Sequence, residues 1–312
     1  MFHKTRNRIR SCYHRVVKIL SVGDWIRPGA YAVQARYARS MLLTDKARRA
    51  LFVVDPSIGA GPLNLVVAAP HAFLAAATLS LPQCVPGPRF DSAMPRLDRT
   101  ARANLRRVLV TALPRYAPAE SLISLFRPAT RPPRFQLARD TLFRKALAQI
   151  AAGRLATGIR LIRGCGEGLT PAGDDFLCGW MLACRMQRQT SLARRSLGHA
   201  RGRNEVANAF LELAAAGRVN QALHDLLRRP TPAGVARVCA FGHSSGADLL
   251  CGLRWGLDCA PNADFPVSPG KPETDGRPRP RGWGAATGRA PTKRAGLAQS
   301  GTTRRLRGYG GK

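Results

Sequence analysis

The feature that most constrains the fold of this chain is a change in the period of its hydrophobic residues close to Arg96. Before this point apolar residues occur in short runs bounded by turn residues, a pattern typical of β-strands. After it they recur three and four positions apart, a pattern typical of amphipathic helices. With 312 residues the chain is long enough to bury a sizeable core. The change therefore predicts an α+β fold, with a β-rich N-terminal part followed by an all-helical C-terminal part.

The predicted elements follow this division. Strands are predicted at Ala30–Tyr37, Ala50–Val54 and Leu63–Val67. Amphipathic helices are predicted at Leu97–Leu113, Gln136–Ala152, Asp174–Gln187, Glu205–Ala216, Asn220–Leu227, Pro232–Ala240 and Ala247–Leu257.

Composition divides the chain into four predicted parts, which are a basic N-terminal arm (1–19), a β-rich domain (20–115), a helical domain (116–260) and a disordered tail (261–312). The tail holds 7 Pro and 10 Gly among its 52 residues and few large apolar side chains. Burial there would not offset the entropy of ordering the chain, which is why we predict disorder. A frameshifted GC-rich reading frame would produce the same composition, so both explanations of the tail stay open.

The charge balance is the one abnormal feature of the composition. The chain has 50 Lys plus Arg against 18 Asp plus Glu, a net charge of +32, which is typical of proteins that bind polyanions. Only 7 of the 50 basic residues are Lys, and codon bias in a GC-rich gene explains such an excess of Arg. No recognition helix, zinc finger or aromatic platform accompanies the charge. Nucleic-acid binding through the basic termini is therefore a disfavoured alternative.

Cysteine spacing and hydropathy indicate a cytoplasmic protein without a membrane span. The eight cysteines include no C-x-x-C pair, so we predict reduced, mostly buried thiols and neither a zinc ribbon nor a redox dithiol. Pro70 and His71 interrupt the apolar run between Leu63 and Leu81, which argues against a transmembrane helix. The opening segment Met1–Leu20 has too short an apolar stretch for a secretory signal.

The first segment with a functional pattern is GCGEGLTPAGDDFLCG at residues 164–179, and we call residues 164–175 the first corner. Its glycines permit close approach of the backbone to a ligand, and Thr170-Pro171 predicts a helix N-cap followed by the first helical residue. A helix N-terminus that follows a glycine loop favours anions. Asp174 and Asp175 together exceed what capping requires, so they are candidates to bind metal or position substrate. The alternative is that the glycines only turn the chain.

The second segment is FGHSSGADLLCG at residues 241–252, and we call residues 241–248 the second corner. An offset of 73 residues superposes five identical pairs, which are Gly173/Gly246, Asp175/Asp248, Leu177/Leu250, Cys178/Cys251 and Gly179/Gly252. We interpret this as a pseudo-repeat in which two corners face one shared cleft. His243 is a candidate for ligand contact or proton transfer, with a structural hydrogen bond as the alternative. A nucleophilic serine is disfavoured because no G-x-S-x-G elbow is present.

The two corners together resemble the AllH family, a subunit family of oxamate carbamoyltransferase. The family's hallmark G-x-G-x-G-L-T-P-x-G-D-D-F corresponds to Gly164 through Phe176, and its later motif G-H-[ST]-S-G-x-D-x-L-x-G corresponds to Gly242 through Gly252. Gly61-Pro-Leu-Asn64 before a predicted strand is also similar. The resemblance covers about residues 20–258.

The resemblance implies a subunit of a multi-subunit enzyme of allantoin and purine breakdown. Such an enzyme interconverts oxalurate plus phosphate with oxamate plus carbamoyl phosphate, so its substrates are small anions and its partners are other enzyme subunits. The alternative is a non-catalytic structural or binding subunit whose partner chains carry the chemistry.

Combined with the pattern of the two corners, these expectations give a set of candidate site residues. The catalytic candidates are His243, Asp175 and Asp248. A divalent metal such as Mg²⁺ is expected on Asp174, Asp175 and Asp248, unless these carboxylates orient the loops from behind. The expected substrate- or anion-binding residues are Gly164, Gly166, Gly168, Thr170, Gly173, Gly242, Ser244, Ser245 and Gly246.

Overall fold

The computed structural model describes residues 8–10, 16–68, 70, 78–127 and 131–259, which all belong to one compact unit, Met1–Pro266. The predicted disordered tail lies outside the described residues, and the predicted N-terminal arm is described only in part. Within the described residues, strands come first and helices follow. The predicted α+β class, with its β-rich and all-helical parts, is confirmed.

The strands form one curled, mixed sheet. The described strands are β1 (Arg8–Arg10), β2 (Val16–Gly23), β3 (Gly29–Tyr37), β4 (Ser40–Asp45), β5 (Ala50–Val54), β6 (Asn64–Val67), β7 (Thr78–Leu81) and β8 (Arg89–Phe90). Their order is β1-β2-β6-β5-β4-β3-β7, and β8 pairs with β2. The pairs β5–β6 and β2–β8 are parallel, and the others are antiparallel.

The sequence pattern located three of these strands. It matched β5 in full and β3 and β6 to within one residue, but it did not predict β1, β2, β4, β7 or β8. In β2 the basic Lys18 lies among Val16, Val17, Ile19 and Leu20, so its run lacks the alternation of a half-buried strand. In β4 three consecutive buried residues, Met41–Leu43, lack it as well. Their place in the sheet comes from pairing with neighbouring strands.

The helical part begins with α1 and contains a short 3₁₀ turn, Leu122–Leu125. The described helices are α1 (Arg99–Tyr116), α2 (Arg134–Ala151), α3 (Leu155–Ile162), α4 (Ala172–Met186), α5 (Thr190–Ala200), α6 (Glu205–Ala216), α7 (Gln221–Arg228), α8 (Pro232–Cys239) and α9 (Ser245–Asp258). The predicted bounds of α6 match, and six other helices differ from prediction by one to three residues. The sequence pattern did not predict α3 or α5. None of the described helices is long and apolar enough to cross a membrane.

One face of the sheet packs against the helical part through α6. Val206 and Leu213 of α6 belong to the same buried cluster as Phe52 and Val54 of β5. The ring centroids of Phe52 and Phe210 are 5.8 Å apart. All five residues of β5 are buried, which explains why this strand is a continuous apolar run.

Helices α4 and α9 cross in the helical core at two glycines. A Cβ atom added to Gly179 would lie 1.8 Å from the Leu249 carbonyl oxygen, and one added to Gly252 would lie 1.9 Å from that of Phe176. The two contacts are reciprocal, because each residue of one contact is 73 positions from its counterpart in the other. Helices α4 and α9 therefore pack against each other as two equivalent copies of the pseudo-repeat.

The cysteines of this core agree with the predicted reduced thiols. Cys178, Cys184, Cys239 and Cys251 are buried and free. Burial raises the pKa of Cys184 and of Cys239 to about 12, so both thiols are held protonated at neutral pH.

Candidate functional site

The two glycine corners meet through side-chain hydroxyl groups. The Oγ1 atom of Thr170 in the first corner lies 2.9 Å from the Oγ atom of Ser245 in the second. The Thr170 hydroxyl also donates to Oδ2 of Asp175 at 3.1 Å. The predicted corners therefore come together at the N-termini of the crossing helices α4 and α9.

These contacts correct the predicted start of α4. Helix α4 begins at Ala172, Pro171 takes the cap position, and no side chain caps the helix. The prediction that Thr170 is the N-cap and Pro171 the first helical residue is wrong, because the Thr170 hydroxyl is used by Asp175 and Ser245 instead. The same dipeptide, Thr231-Pro232, precedes α8, and there the Thr231 side chain does cap the helix by accepting a hydrogen bond from Gly234 N.

Asp174 holds the glycine loop from inside the protein. Its side chain is buried, and Oδ1 accepts a hydrogen bond from the Gly164 backbone N–H at 2.8 Å. Burial raises the pKa of Asp174, while this hydrogen bond and the charge of Arg163 act in the opposite direction. Asp174 therefore orients the glycine loop, which is the alternative to metal binding that the sequence left open.

Asp175 lies where the two corners join. It is buried, and desolvation raises its pKa well above the ordinary value. The hydroxyls of Ser245 and Thr170 lower this pKa, whereas the nearby charges of Asp248 and Asp174 raise it further. Asp175 therefore lies near two other carboxylates and is hydrogen-bonded by the hydroxyls of Thr170 and Ser245.

Asp248 connects the second corner to the 3₁₀ turn. It is fully buried, and its Oδ1 accepts a hydrogen bond from Leu122 N at 2.7 Å. Its Oδ2 is buried without a hydrogen bond of normal geometry, although the Ser244 hydroxyl is near enough to favour the ionised form. Burial is the main cause that raises the pKa of Asp248 to about 6.

The predicted anion-binding glycines fall into two groups. Gly173 and Gly246 are buried at close backbone contacts, since a Cβ atom on either would lie 1.8 Å from the carbonyl oxygen of Ile162 or Val238 respectively. The exposed group has positive φ angles, with Gly164 at 67°, Gly166 at 119°, Gly168 at 93° and Gly242 at 67°. Only the exposed group presents backbone to solvent.

His243 lies at the surface of the second corner, whereas Ser244 and Ser245 are half-buried. The His243 side chain is 83% exposed, and its Nε2 is 3.3 Å from Oε1 of Glu120. Ser244 occupies the cap position of α9 without a side-chain cap bond, and Ser245 begins the helix. Within the part of the chain that the structure describes, no hydrogen bond joins His243 to either serine.

The predicted metal site has no obvious geometry for a metal. Among the described residues, no group of three or more His, Cys, Asp or Glu side chains could hold a metal ion. Asp174, Asp175 and Asp248 each accept a hydrogen bond from a protein donor. Mg²⁺ at these carboxylates stays a prediction.

Sequence reasoning missed two residues next to the second corner, Glu120 and Arg139. Glu120 contacts His243, and Arg139 is a nearly buried arginine whose side chain is only 8% exposed. The adjacent charges of Arg139 and Asp140 within an amphipathic helix were a signal in the sequence. Their partners lie 15 or more residues away along the chain, so the pattern alone did not identify them.

The described surface also has a cleft and several exposed apolar side chains. A cleft of about 490 Å³ lies away from the corners, between Arg96, His224 and Arg228, and none of the predicted site residues lines it. Within the first corner, Leu169 in the glycine loop is 38% exposed. Phe135 in the first turn of α2 is 71% exposed.

A comparison with known protein families bears on both corners. The family model of oxamate carbamoyltransferase subunit AllH matches residues 162–257, which include both corners and helices α4 to α8. The resemblance to AllH drawn from the two glycine motifs is confirmed over these residues. No curated protein and no solved structure matches the chain.

Proposed function

We propose that this chain is an AllH-like subunit of an oxamate carbamoyltransferase-type enzyme and that it binds a small anion where its two corners meet. The observation that carries the proposal is the Thr170–Ser245 contact, which joins the two motifs of the matched region at one point. The expected reaction converts oxalurate and phosphate into oxamate and carbamoyl phosphate, as part of allantoin and purine breakdown.

The exposed glycines are the proposed anion-binding surface. Gly166, Gly168 and Gly242 have positive φ angles, which favour backbone N–H groups that point toward an anion, whereas the Gly164 N–H already donates to Asp174. The N-termini of α4 and α9 add favourable dipoles. Because the hydroxyls of Thr170 and Ser245 contact each other and Asp175, we assign the side-chain donor role to Ser244.

His243 is the proposed source of the proton that this reaction needs. A phosphate oxygen attacks the carbamoyl carbon of oxalurate, the bond from that carbon to the oxamate nitrogen breaks, and the departing nitrogen takes up a proton. The exposed imidazole beside the corner can donate that proton. Asp174 and Asp248 keep the glycine loop and the second corner in position through their backbone contacts.

Calorimetric titration of the full chain, alone and with its partner subunits, tests this proposal. We expect binding of phosphate, oxamate or carbamoyl phosphate that weakens about tenfold in Ser244→Ala, since a hydrogen bond to a charged group contributes about 1.5 kcal/mol. Ser191→Ala is the matched control, because Ser191 lies in the first turn of α5, far from the corners in sequence. Full affinity in Ser244→Ala would contradict its donor role, and absence of binding and turnover in the assembled wild type would refute the proposed function.

A second candidate function is that of a non-catalytic binding subunit, with the corners at a subunit interface. Exposed Leu169 in the glycine loop favours it, because a large apolar side chain at a loop tip gains by burial against a partner. Leu169→Asp separates the two candidates. Loss of complex formation with retained anion binding would favour the interface, and loss of anion binding alone would favour the site.

A further inference from the structure

The segment that contains the 3₁₀ turn contacts the second corner at two points. Inside the protein, Leu122 N donates to Oδ1 of Asp248 at 2.7 Å. At the surface, Oε1 of Glu120 is 3.3 Å from Nε2 of His243. This segment, residues 120–124, lies outside the residues that match the family model, and it borders the proposed site.

Arg139 of α2 holds this segment in place. Its guanidinium group donates to the carbonyl oxygens of Glu120 and Ser121 and to the Ser124 hydroxyl. It also forms an ion pair with Asp140, whose Oδ1 accepts from the same Ser124 hydroxyl at 2.9 Å. The fork of donors on Arg is suited to such a fixed set of acceptors.

Arg139 is nearly buried, and its charge acts on groups in both corners. Its side chain is 8% exposed and that of Asp140 is 10% exposed, so removing either residue leaves the other charge nearly buried without an opposite charge beside it. The positive charge of Arg139 also reaches both corners. It opposes the effect of burial on the pKa of Asp248 and of Cys165.

We propose that Arg139 is a positioning residue, which holds residues 120–124 against the second corner so that Glu120 pairs with His243 and orients its imidazole. A carboxylate that orients an imidazole is a recurring device in proton transfer. The catalytic part of this inference rests on the proposed function, because it assigns His243 the proton for the oxamate nitrogen. The positioning part does not, because it concerns a geometry within this chain.

The first arm of the test is an NMR spectrum of the full chain labelled on histidine rings, with His243 assigned by the loss of its signal in His243→Asn. We expect the His243 ring signal to move in Glu120→Gln and in Arg139→Ala. Added guanidinium ion should restore it in Arg139→Ala, because it replaces the missing group. Lys145→Ala is the control, since Lys145 is a basic residue exposed on the same helix and has no hydrogen bond to the 3₁₀ turn among the described residues.

The second arm is carbamoyl transfer by the assembled enzyme. We expect kcat to fall on the order of 10- to 100-fold in Arg139→Ala and in Glu120→Gln while KM stays within about twofold, because misplacement of a catalytic group affects the transition state more than binding. If Arg139→Ala fails to fold, Arg139→Lys and Glu120→Gln carry the same comparison.

The outcomes separate the two claims. A His243 signal that stays at its wild-type position in Glu120→Gln and in the Arg139 variants would overturn the inference, whatever the activity. Unchanged kcat in an active enzyme would overturn the catalytic part. An assembled wild type without carbamoyl transfer would refute the proposed function, and the NMR arm would still decide whether Arg139 positions Glu120.

Discussion

The two corners of this protein have the same backbone packing and different side-chain chemistry. Gly173 and Gly246 each lie against a carbonyl oxygen of the preceding helix, with 1.8 Å to an added Cβ atom in both cases. Gly179 and Gly252 make the reciprocal contacts between α4 and α9. The repeated glycines are therefore positions of close helix packing.

The carboxylates and exposed residues of the two corners differ. Asp175 contacts the Thr170 hydroxyl, whereas its counterpart Asp248 accepts from a backbone N–H of the 3₁₀ turn. The 73-residue offset pairs half-buried Thr170 with exposed His243. The repeat therefore supplies the scaffold, and the positions where the two copies diverge are the candidates for function.

The largest effect is expected from a methyl group at the helix crossing. Gly252→Ala places a Cβ atom 1.9 Å from the Phe176 carbonyl oxygen, so α4 and α9 must separate and the free energy of unfolding should fall by about 3 kcal/mol or more. Gly198→Ala in α5 is the control, because nothing lies within 4 Å of its added Cβ and alanine favours a helix. Denaturant unfolding measures both, and equal stability of the two variants would contradict the packing role.

A pH titration of stability should separate the buried carboxylates from ordinary ones. The folded state holds a proton on Asp248 up to about pH 6, above its ordinary pKa of 3.8, so this group stabilises the fold below pH 3.8 and loses that contribution as pH rises through 6. Relative to Asp248→Asn, the wild type should lose up to about 3 kcal/mol of unfolding free energy between pH 4 and pH 7.

Asp45 is the control with the opposite sign. Although burial raises the pKa of Asp45, hydrogen bonds from Arg49 outweigh it and lower that pKa below 3.8. Its contribution is present above the ordinary pKa and is lost as pH falls through the lowered value. Relative to Asp45→Asn, the wild type should therefore gain stability as pH rises. The same sign for both variants would contradict the assignment of a raised pKa to Asp248.

A smaller effect is expected from the hydroxyl contact that joins the corners. Thr170→Val removes the hydrogen bond to Asp175 and the contact with Ser245, and should cost about 1–2 kcal/mol. A double-mutant cycle with Ser245→Ala should give a coupling energy of about 1 kcal/mol. A coupling energy near zero would mean that the two corners touch without stabilising each other.

The smallest effect is expected in the exposed loop. Gly168→Ala meets nothing within 4 Å, so only its positive φ of 93° opposes the substitution, at a cost of about 1 kcal/mol. Gly202→Ala is the control, because it also meets nothing and its φ lies outside the positive range. A loss of several kcal/mol in Gly168→Ala would place this loop with the packing glycines.

Much of the helical part was predictable because local pattern and burial agree there. The bounds of α6 follow from its Asn204 cap, its apolar stripe and Gly217 in the left-handed conformation. The short helices α3 and α5 were not predicted, because neither has a side-chain N-cap, whereas α7 and α8, which are no longer than α3, begin after the caps Asn220 and Thr231.

The candidate site was predictable where glycines and acids repeat along the chain. The motif pattern identified both corners, and an anion-binding role for their exposed glycines stays a prediction. It did not reveal that Thr170 turns away from capping, or that Glu120 and Arg139 lie beside the second corner.

Local sequence patterns were sufficient to predict the class of fold, most of the helices and the two glycine corners, because hydrophobic period, caps and glycine spacing act over a few residues. Long-range contacts establish which glycines pack helices and which face solvent, which donor each carboxylate accepts from, and that Glu120 lies between Arg139 and His243. These are contacts between segments up to 126 residues apart, as between Leu122 and Asp248, and they depend on burial and packing that no local pattern encodes.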